Sequence, residues 1–276
     1  MNKTSIEYLD FSWNPLAMRC SPISDGCKHC WHLRAADRLA TMPQFDQEVR
    51  DAYAGKRPPL LIESRLNEPL KRKKSSVIGV QFMGDLFHHD IDFEIINRIV
   101  SVMCAEKQHQ FLVLTKRLDR VLAFVLWLED RNADTASASW WPNIWWGTSV
   151  ENQRRADERI PKLLKVPGKH WLSVEPMLEK VSFDYDGDSC MCGGPANHSP
   201  LYENHDPVPM SETYLWGIDW VTCGAETGLG ARPFKNEWAI DLLEQCRVAD
   251  VPFFMKKVQG GKEPPTELMV REYPQW

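Results

Sequence analysis

The sequence contains no long hydrophobic run, because no stretch of 18 or more apolar residues occurs in it. A helix that spans a bilayer needs about 20 such residues, so we expect no membrane anchor. The segment Met1 to Phe11 also lacks the apolar region of a secretory signal peptide, which predicts a cytoplasmic protein. In a reducing compartment we expect the eight cysteines to be thiols or metal ligands rather than disulfides.

An excess of positive charge is also missing. The formal net charge is −5, so no global electrostatic attraction to nucleic acid is expected. No internal repeat occurs beyond a strand–helix unit. The 276 residues, 43% of them hydrophobic, suit one large α/β barrel or two small domains.

Short apolar segments alternate with helical patterns along most of the chain. The predicted strands are 6–12, 77–82, 109–115, 143–150, 170–176, 219–225 and 252–258. The predicted helices are 92–107, 117–129, 151–165 (interrupted at Pro161) and 234–248. This alternation predicts a parallel sheet with crossover helices, in a single domain (1–276) that forms a partial or complete β/α (TIM-like) barrel.

One segment, 184–215, departs from this alternation. It is rich in Gly, Pro, Asn, Asp and Ser and reads as an inserted loop. Four possible metal ligands lie within it: Cys190, Cys192, His198 and His205. They suggest a metal site in addition to the one discussed below for the N-terminal cysteines, either a zinc knuckle or part of a second iron–sulfur cluster. C-x-C is a poor match to zinc spacing, so a loop with two idle thiols is the alternative.

Polar residues follow successive predicted strands. In a β/α barrel, chemistry occurs at the carboxyl ends of the strands. Any one of these residues is equally well a helix cap or a solvated loop residue, but together they suggest a polyfunctional pocket. They are Asp85 (after Gly84), Lys116, Thr148, Ser149, Glu151, Asn152, Glu175 and Glu226.

The first predicted strand is followed by three cysteines, Cys20, Cys27 and Cys30, in the pattern C-x6-C-x2-C. With His29 or His32 they would make a Cys3His zinc site. Three thiolates would also hold an iron–sulfur cluster with one iron open to a small molecule. The spacing leaves both open, and the loop's Ser, Gly and Asp content and its position at the rim favour a cluster.

Several segments, in their sequence and in their order along the chain, resemble those of the radical S-adenosylmethionine (SAM) superfamily. More closely, the chain resembles a family of phage-encoded, radical-SAM-like proteins that are distantly similar to spore photoproduct lyase. The resemblance covers most of the chain outside 184–215. The segments that carry it are 11–15, 21–30, 83–88, 114–117, 146–161, 172–178, 218–233 and 251–257.

The resemblance implies a radical SAM barrel and its chemistry. Cys20, Cys27 and Cys30 would bind a [4Fe–4S] cluster whose open iron chelates SAM. Reductive cleavage of SAM would give a 5′-deoxyadenosyl radical that abstracts hydrogen from a substrate. The implied substrate is a nucleotide, modified base or nucleic acid, in phage DNA base modification or repair. An electron donor such as flavodoxin is implied, in the cytoplasm of a bacterial host.

The resemblance also implies roles for the strand-end residues. Gly84 and Asp85 would bind the SAM amino group. Thr148, Ser149, Glu151 and Asn152 would contact its ribose and methionine. The catalytic candidates are Lys116, Glu175 and Glu226, with Lys116 binding a carboxylate or phosphate and the two glutamates binding SAM or substrate.

Three departures separate the chain from the superfamily pattern. The first cysteine gap is six residues rather than three, His29 replaces an aromatic residue, and Met83-Gly84-Asp85 replaces Gly-Gly-Glu. These departures affect the expected SAM contacts rather than the cluster. A second hypothesis is that zinc at the cysteines stabilises a non-enzymatic module that engages a host or phage partner. A radical SAM fold that binds a cluster without turnover is a third hypothesis.

Overall fold

A computed structural model of the protein describes residues 1–131, 141–183 and 213–276. Its main feature is an eight-stranded sheet in which seven neighbouring strands run parallel, as predicted, and the first edge strand is antiparallel. The strands of this sheet, in spatial order, are β1 (Asn2–Lys3), β2 (Phe11–Trp13), β5 (Val77–Val80), β6 (Gln110–Leu114), β7 (Ile144–Ser149), β8 (Lys169–Val174), β9 (Trp220–Cys223) and β10 (Phe253–Met255).

The described fold also contains a second, two-stranded sheet and seven α-helices. The small sheet pairs β3 (Leu16–Ala17) with β4 (Leu60–Leu61) in antiparallel fashion. The helices are α1 (Trp31–Ala40), α2 (Gln47–Tyr53), α3 (Glu63–Leu66), α4 (Phe93–Ala105), α5 (Leu118–Arg131), α6 (Gln153–Leu163) and α7 (Asn236–Val248). Within the described ranges, no helix combines the length and apolar character needed to span a bilayer.

Two of the sequence predictions about these elements are wrong in detail. The predicted strand 6–12 is a strand only from Phe11, because Tyr8 and Leu9 turn inward and become buried instead of pairing. Pro161 does not interrupt α6. It lies in the last turn, where the loss of one backbone hydrogen bond costs the helix least.

Most of the predicted insertion, residues 184–212, lies outside the described residues, but Leu215 near its end is buried and belongs to the core. The backbone N–H of Tyr214 donates to the carbonyl of Phe183 over 2.7 Å. Phe183 and Tyr214, on either side of this segment, are therefore neighbours in the fold.

Successive strand residues alternate between two apolar layers. Trp146 packs in the outer core between sheet and helices, whereas its neighbour Trp145 joins an inner cluster on the other face. In that inner cluster the Tyr8 ring lies 5.7 Å from the ring of Phe254 on the last strand. Tyr8, which precedes β2 in the chain, therefore packs against the last strand of the sheet through the inner cluster. Over the described residues, no backbone pairing joins β10 to β1 or β2.

Gly147 on β7 shows how tightly the inner layer is packed. A Cβ built at this position would lie 2.2 Å from Nε1 of Trp171 on the neighbouring strand. Both residues are in the parallel ladder, so neither backbone can withdraw. Only glycine fits here.

We therefore expect Gly147→Ala to destabilise the protein by about 1–3 kcal/mol through overpacking. Urea unfolding measures this change. Gly224→Ala is the matched control, because its Cβ would meet its nearest neighbours at 3.4 Å and 3.5 Å, which are ordinary contact distances. Equal midpoints for the two variants would contradict this packing.

Candidate functional site

The three cysteines lie on one loop between β3 and α1. A 3-10 turn (Asp25–Cys27) bends the loop, and Cys30 occupies the N-cap position of α1. Two backbone bonds fix the bend, from Cys27 to Ser24 (2.9 Å) and from Cys30 to Cys27 (3.2 Å). All three cysteines are free thiols and are partly buried. We call residues 20–30 the cysteine loop.

Two consecutive cations at the end of β6 contact different thiols. Nζ of Lys116 lies 3.8 Å from Sγ of Cys27, and a guanidinium nitrogen of Arg117 lies 3.7 Å from Sγ of Cys20. Arg117 also donates to the carbonyl oxygen of Ser21 over 2.8 Å. Two of the three sulfurs therefore have a positively charged side chain from the end of β6 beside them.

Asp85, which follows β5, holds Arg117 in this position. Its buried carboxylate accepts hydrogen bonds from Arg117 (2.6 Å) and from the hydroxyl of Thr115 (2.7 Å). The preceding Gly84 has a positive φ of 142°, and a Cβ there would lie 2.5 Å from Sδ of Met18. Glycine is required beside Asp85 by both conformation and space.

Glu151 connects the cysteine loop to the end of β7. Its side chain is 0% exposed and pairs with Arg159 at 2.8 Å and Lys116 at 3.5 Å. The backbone N–H of Gly26 donates to the same carboxylate over 3.4 Å. A Cβ at Gly26 would lie 2.8 Å from Nζ of Lys116, so glycine allows this close approach of the loop.

These charges make the three thiols electrostatically different. Burial, with a smaller contribution from Asp85, raises the pKa of Cys20 to about 11, although Arg117 acts against it. Burial also raises the pKa of Cys30. At Cys27 burial acts in the same direction, but Lys116 together with hydrogen bonds to the loop backbone outweighs it and lowers the pKa. Cys27 is therefore the thiol that most readily becomes a thiolate.

The loop after β9 contacts the opposite side of the cysteine loop. Glu226 is buried and accepts bonds from the backbone N–H (2.8 Å) and Nε (2.9 Å) of Arg232. Arg232 in turn donates to the carbonyl of Asp25 over 2.9 Å. Burial would raise the pKa of Glu226, but these bonds to Arg232 lower it. Glu226 thus acts on the cysteine loop through Arg232.

Glu175 belongs to a separate cluster at the end of β8. Its carboxylate accepts from the hydroxyl of Thr222 (2.7 Å) and from Nζ of Lys256 (2.5 Å), whose ammonium lies 5.3 Å from the ring centre of Tyr8. Burial and the charge of Glu175 raise the pKa of Tyr8. None of these contacts reaches the cysteine loop.

Three predicted site residues at the end of β7 make local contacts. Thr148 donates to the carbonyl of Thr115 over 2.8 Å, and the Asn152 side chain accepts from the backbone of Arg155 over 3.0 Å as the N-cap of α6. Ser149 is buried, and its carbonyl accepts from Arg159. These contacts stabilise the strand end and the start of the helix.

The three thiols are not gathered as closely as the ligands of a single zinc ion are. Sulfurs bound to one zinc lie about 3.8 Å apart, given Zn–S bonds of about 2.3 Å. Among the described residues, no three of Cys20, Cys27, Cys30, His29 and His32 have their ligand atoms all within 4.8 Å of one another. A [4Fe–4S] cluster separates its thiolates more widely, because each binds a different iron atom.

The histidines next to the cysteines have other contacts. Nε2 of His32 accepts from the backbone N–H of Cys20 over 3.1 Å, and burial lowers the pKa of this imidazole to about 4. His29 lies beside Gly230, where a Cβ would be 3.1 Å from its ring. Neither completes a tetrahedral set with the thiols.

A family model described as protein of unknown function (DUF5131) matches residues 3–271. The chain belongs to this family. The match includes the cysteine loop and every strand of the parallel sheet from β2 to β10. No curated protein and no solved structure matches the chain.

In this DUF5131 chain, the proposed second metal group lies outside the described residues. It comprises Cys190, Cys192, His198 and His205.

Sequence reasoning missed two arginines that organise the site, Arg159 and Arg232. Arg159 carried a signal, because it falls on the buried face of α6 with Ala156, Ile160 and Leu163. A charged residue on an apolar helix face indicates a buried partner. Arg232 carried no such signal, since its contact with Asp25 spans 207 residues.

We expect Glu151→Gln to destabilise the protein by about 3–5 kcal/mol near neutral pH, because it leaves the Arg159 cation buried without a counter-charge. Urea unfolding measures the change. Glu63→Gln is the matched control, because the Glu63–Arg98 pair is exposed, and there we expect almost no effect.

The pH dependence gives an independent check on the same variant. Although burial opposes it, pairing with Lys116 and Arg159 lowers the pKa of Glu151 below its ordinary value of 4.5. The stabilising contribution of Glu151 is therefore complete above that ordinary value and is lost as the pH falls through the lower, folded value. The difference in free energy of unfolding between the wild type and Glu151→Gln should therefore disappear at acidic pH. A difference that stays constant would contradict this assignment.

Proposed function

We propose that this protein is a radical SAM enzyme in which Cys20, Cys27 and Cys30 hold a [4Fe–4S] cluster. The observation that carries the proposal is the convergence of the thiols with Lys116, Arg117 and the carboxylates of Asp85 and Glu151 at one rim of a parallel sheet. Three protein thiolates leave one iron open for a small molecule.

We also propose that the sheet is a partial β/α barrel of the radical SAM type. The contact of Tyr8, which precedes β2, with Phe254 on the last strand supports this, as do the seven parallel strands. In a barrel of this type, the polar groups after β5, β6, β7 and β9 share the carboxyl-end rim with the cysteine loop.

When bound, the cluster would supply the electron that cleaves the sulfonium of SAM. The chain's own residues hold and neutralise the site. Arg117, oriented by Asp85, offsets the charge of Cys20, and Lys116 offsets that of Cys27. Glu151 is fully buried, so its proposed role is to hold Lys116 and the cysteine loop rather than to touch SAM. Lys116 retains some exposure and can meet a ligand carboxylate.

The Glu175–Lys256 pair is the proposed polar contact for substrate. Both side chains stand at strand ends next to the buried Tyr8 and remain partly exposed. Side by side, a carboxylate and an ammonium offer an acceptor and a donor, which suit the polar edge of a base or a modified nucleotide. A nucleotide or nucleic-acid substrate, a phage setting and a flavodoxin-like electron donor come from the sequence resemblance.

A zinc-stabilised, non-enzymatic module is the competing hypothesis. It would require the thiols to move closer together than in this structure, since no three candidate ligands of the loop lie within 4.8 Å among the described residues. In such a module, Lys116 and Arg117, the two cations beside the thiols, would have no part in a reaction.

After anaerobic reconstitution with iron and sulfide, we expect about four irons and four sulfides per chain, because the loop supplies the three thiolates of one cluster. With SAM and dithionite, the reconstituted protein should release 5′-deoxyadenosine. Alanine at Cys20, Cys27 or Cys30 should abolish both properties. Cys104→Ala is the matched control, because this thiol is partly buried on α4, and it should retain both. Stoichiometric zinc with no iron uptake would sink the proposal.

We expect Lys116→Met to lower the midpoint potential of the cluster by tens of millivolts, because removing a cation 3.8 Å from Cys27 disfavours the more negative reduced state. A redox titration followed by electron paramagnetic resonance measures the shift. Lys28→Met is the control, since Lys28 is exposed and adjacent to Cys27 in sequence. An equal shift in both variants would show that Lys116 has no specific effect.

A further inference from the structure

The loop after β5 brings three metal-binding side chains together next to the cysteine loop. They are the consecutive residues His88, His89 and Asp90, and their ligand atoms all lie within 4.8 Å of one another. Among the described residues this is the only such group of three. Neither the family description nor the proposed enzyme chemistry uses it.

Hydrogen bonding orients His88 as a ligand. Its Nε2 lies 2.8 Å from Oγ of Ser21, and its buried ring is stacked on that of His89 with centroids 4.2 Å apart. Nδ1 faces Asp90, because it accepts from the backbone N–H of Asp90 over 3.3 Å and lies 3.7 Å from a carboxylate oxygen of the same residue. In a metal-binding histidine, a hydrogen bond to the ring nitrogen that does not bind the metal typically fixes the orientation of the ring.

The cation of Arg117, which contacts Ser21, is already paired with Asp85 and does not leave an unbalanced positive charge at the site.

The distances also match a shared ion. Nδ1 of His88 lies 3.7 Å from one oxygen of Asp90, and Nε2 of His89 lies 3.4 Å from the other. Two ligands bound to one ion at about 2.1 Å and a tetrahedral angle are about 3.4 Å apart. Two imidazoles and one carboxylate suit borderline divalent ions such as Zn²⁺, Co²⁺ and Ni²⁺.

We propose that His88, His89 and Asp90 form a mononuclear divalent-metal site, completed by solvent, that is separate from the cysteines and linked to them through Ser21. Ser21 accepts a bond from Arg117 over 3.0 Å and follows Cys20 directly, so an ion that fixes His88 also fixes the start of the cysteine loop. The site does not depend on the proposed radical SAM function and would exist whichever metal the cysteines hold.

Titration with Co²⁺ tests the site in the full chain. To remove other thiolate ligands, the background variant carries serine at Cys20, Cys27, Cys30, Cys190 and Cys192. We expect one equivalent of Co²⁺ with the visible d–d bands of nitrogen and oxygen ligation. Calorimetry gives the Kd.

His89→Ala and Asp90→Asn should each weaken this binding at least about tenfold. His89 is 63% exposed, so its removal should leave the fold intact, which circular dichroism checks. Ser21→Ala should weaken binding by about 10–100-fold, because it removes the partner that orients His88.

Asp92→Asn is the matched control and should bind as the background does. It removes an exposed carboxylate from the same loop, outside the cluster. Equal Co²⁺ affinity in the background and His89→Ala proteins would overturn the proposal. An equal loss of Co²⁺ affinity in Asp92→Asn and His89→Ala would also overturn it, because this would indicate that the negative charge of the loop attracts the ion without a specific site. Neither result bears on iron uptake by the wild-type cysteines, so this test and that of the proposed function fail separately.

Discussion

The candidate site depends on one buried carboxylate, that of Glu151. A charge withdrawn from water must be paired, and this one meets Arg159, Lys116 and the backbone N–H of Gly26. Each partner belongs to a different element: α6, the end of β6 and the cysteine loop. The need to neutralise one charge therefore fixes three parts of the molecule relative to one another.

The parallel sheet turns this local constraint into a site. Parallel strands end at the same edge, so residues far apart in sequence meet there. Lys116 and Arg117 are neighbours in the chain, yet they reach Cys27 and Cys20 respectively. Their different surroundings separate the pKa values of the three thiols. The loop thus has one thiol biased towards the thiolate and two biased against it.

The sequence predicts the features that depend on local interactions and misses those that depend on long-range packing. Buried parallel strands such as β6 and β7 are continuous apolar segments, so their positions were predicted to within one residue at each end. The segment 31–66, with α1, α2 and α3, lies outside the strand–helix alternation and was not predicted. Glu151 was chosen as a ligand contact, but only the structure reveals its burial beneath Gly26, which depends on packing over 125 residues of separation.

Mössbauer spectroscopy of the chain reconstituted with ⁵⁷Fe, recorded with and without SAM, tests the proposed cluster directly. We expect a [4Fe–4S] cluster in which one of the four irons changes its isomer shift when SAM binds, because three cysteines leave that iron open. Four irons that stay unchanged on addition of SAM, or no cluster iron at all, would contradict it.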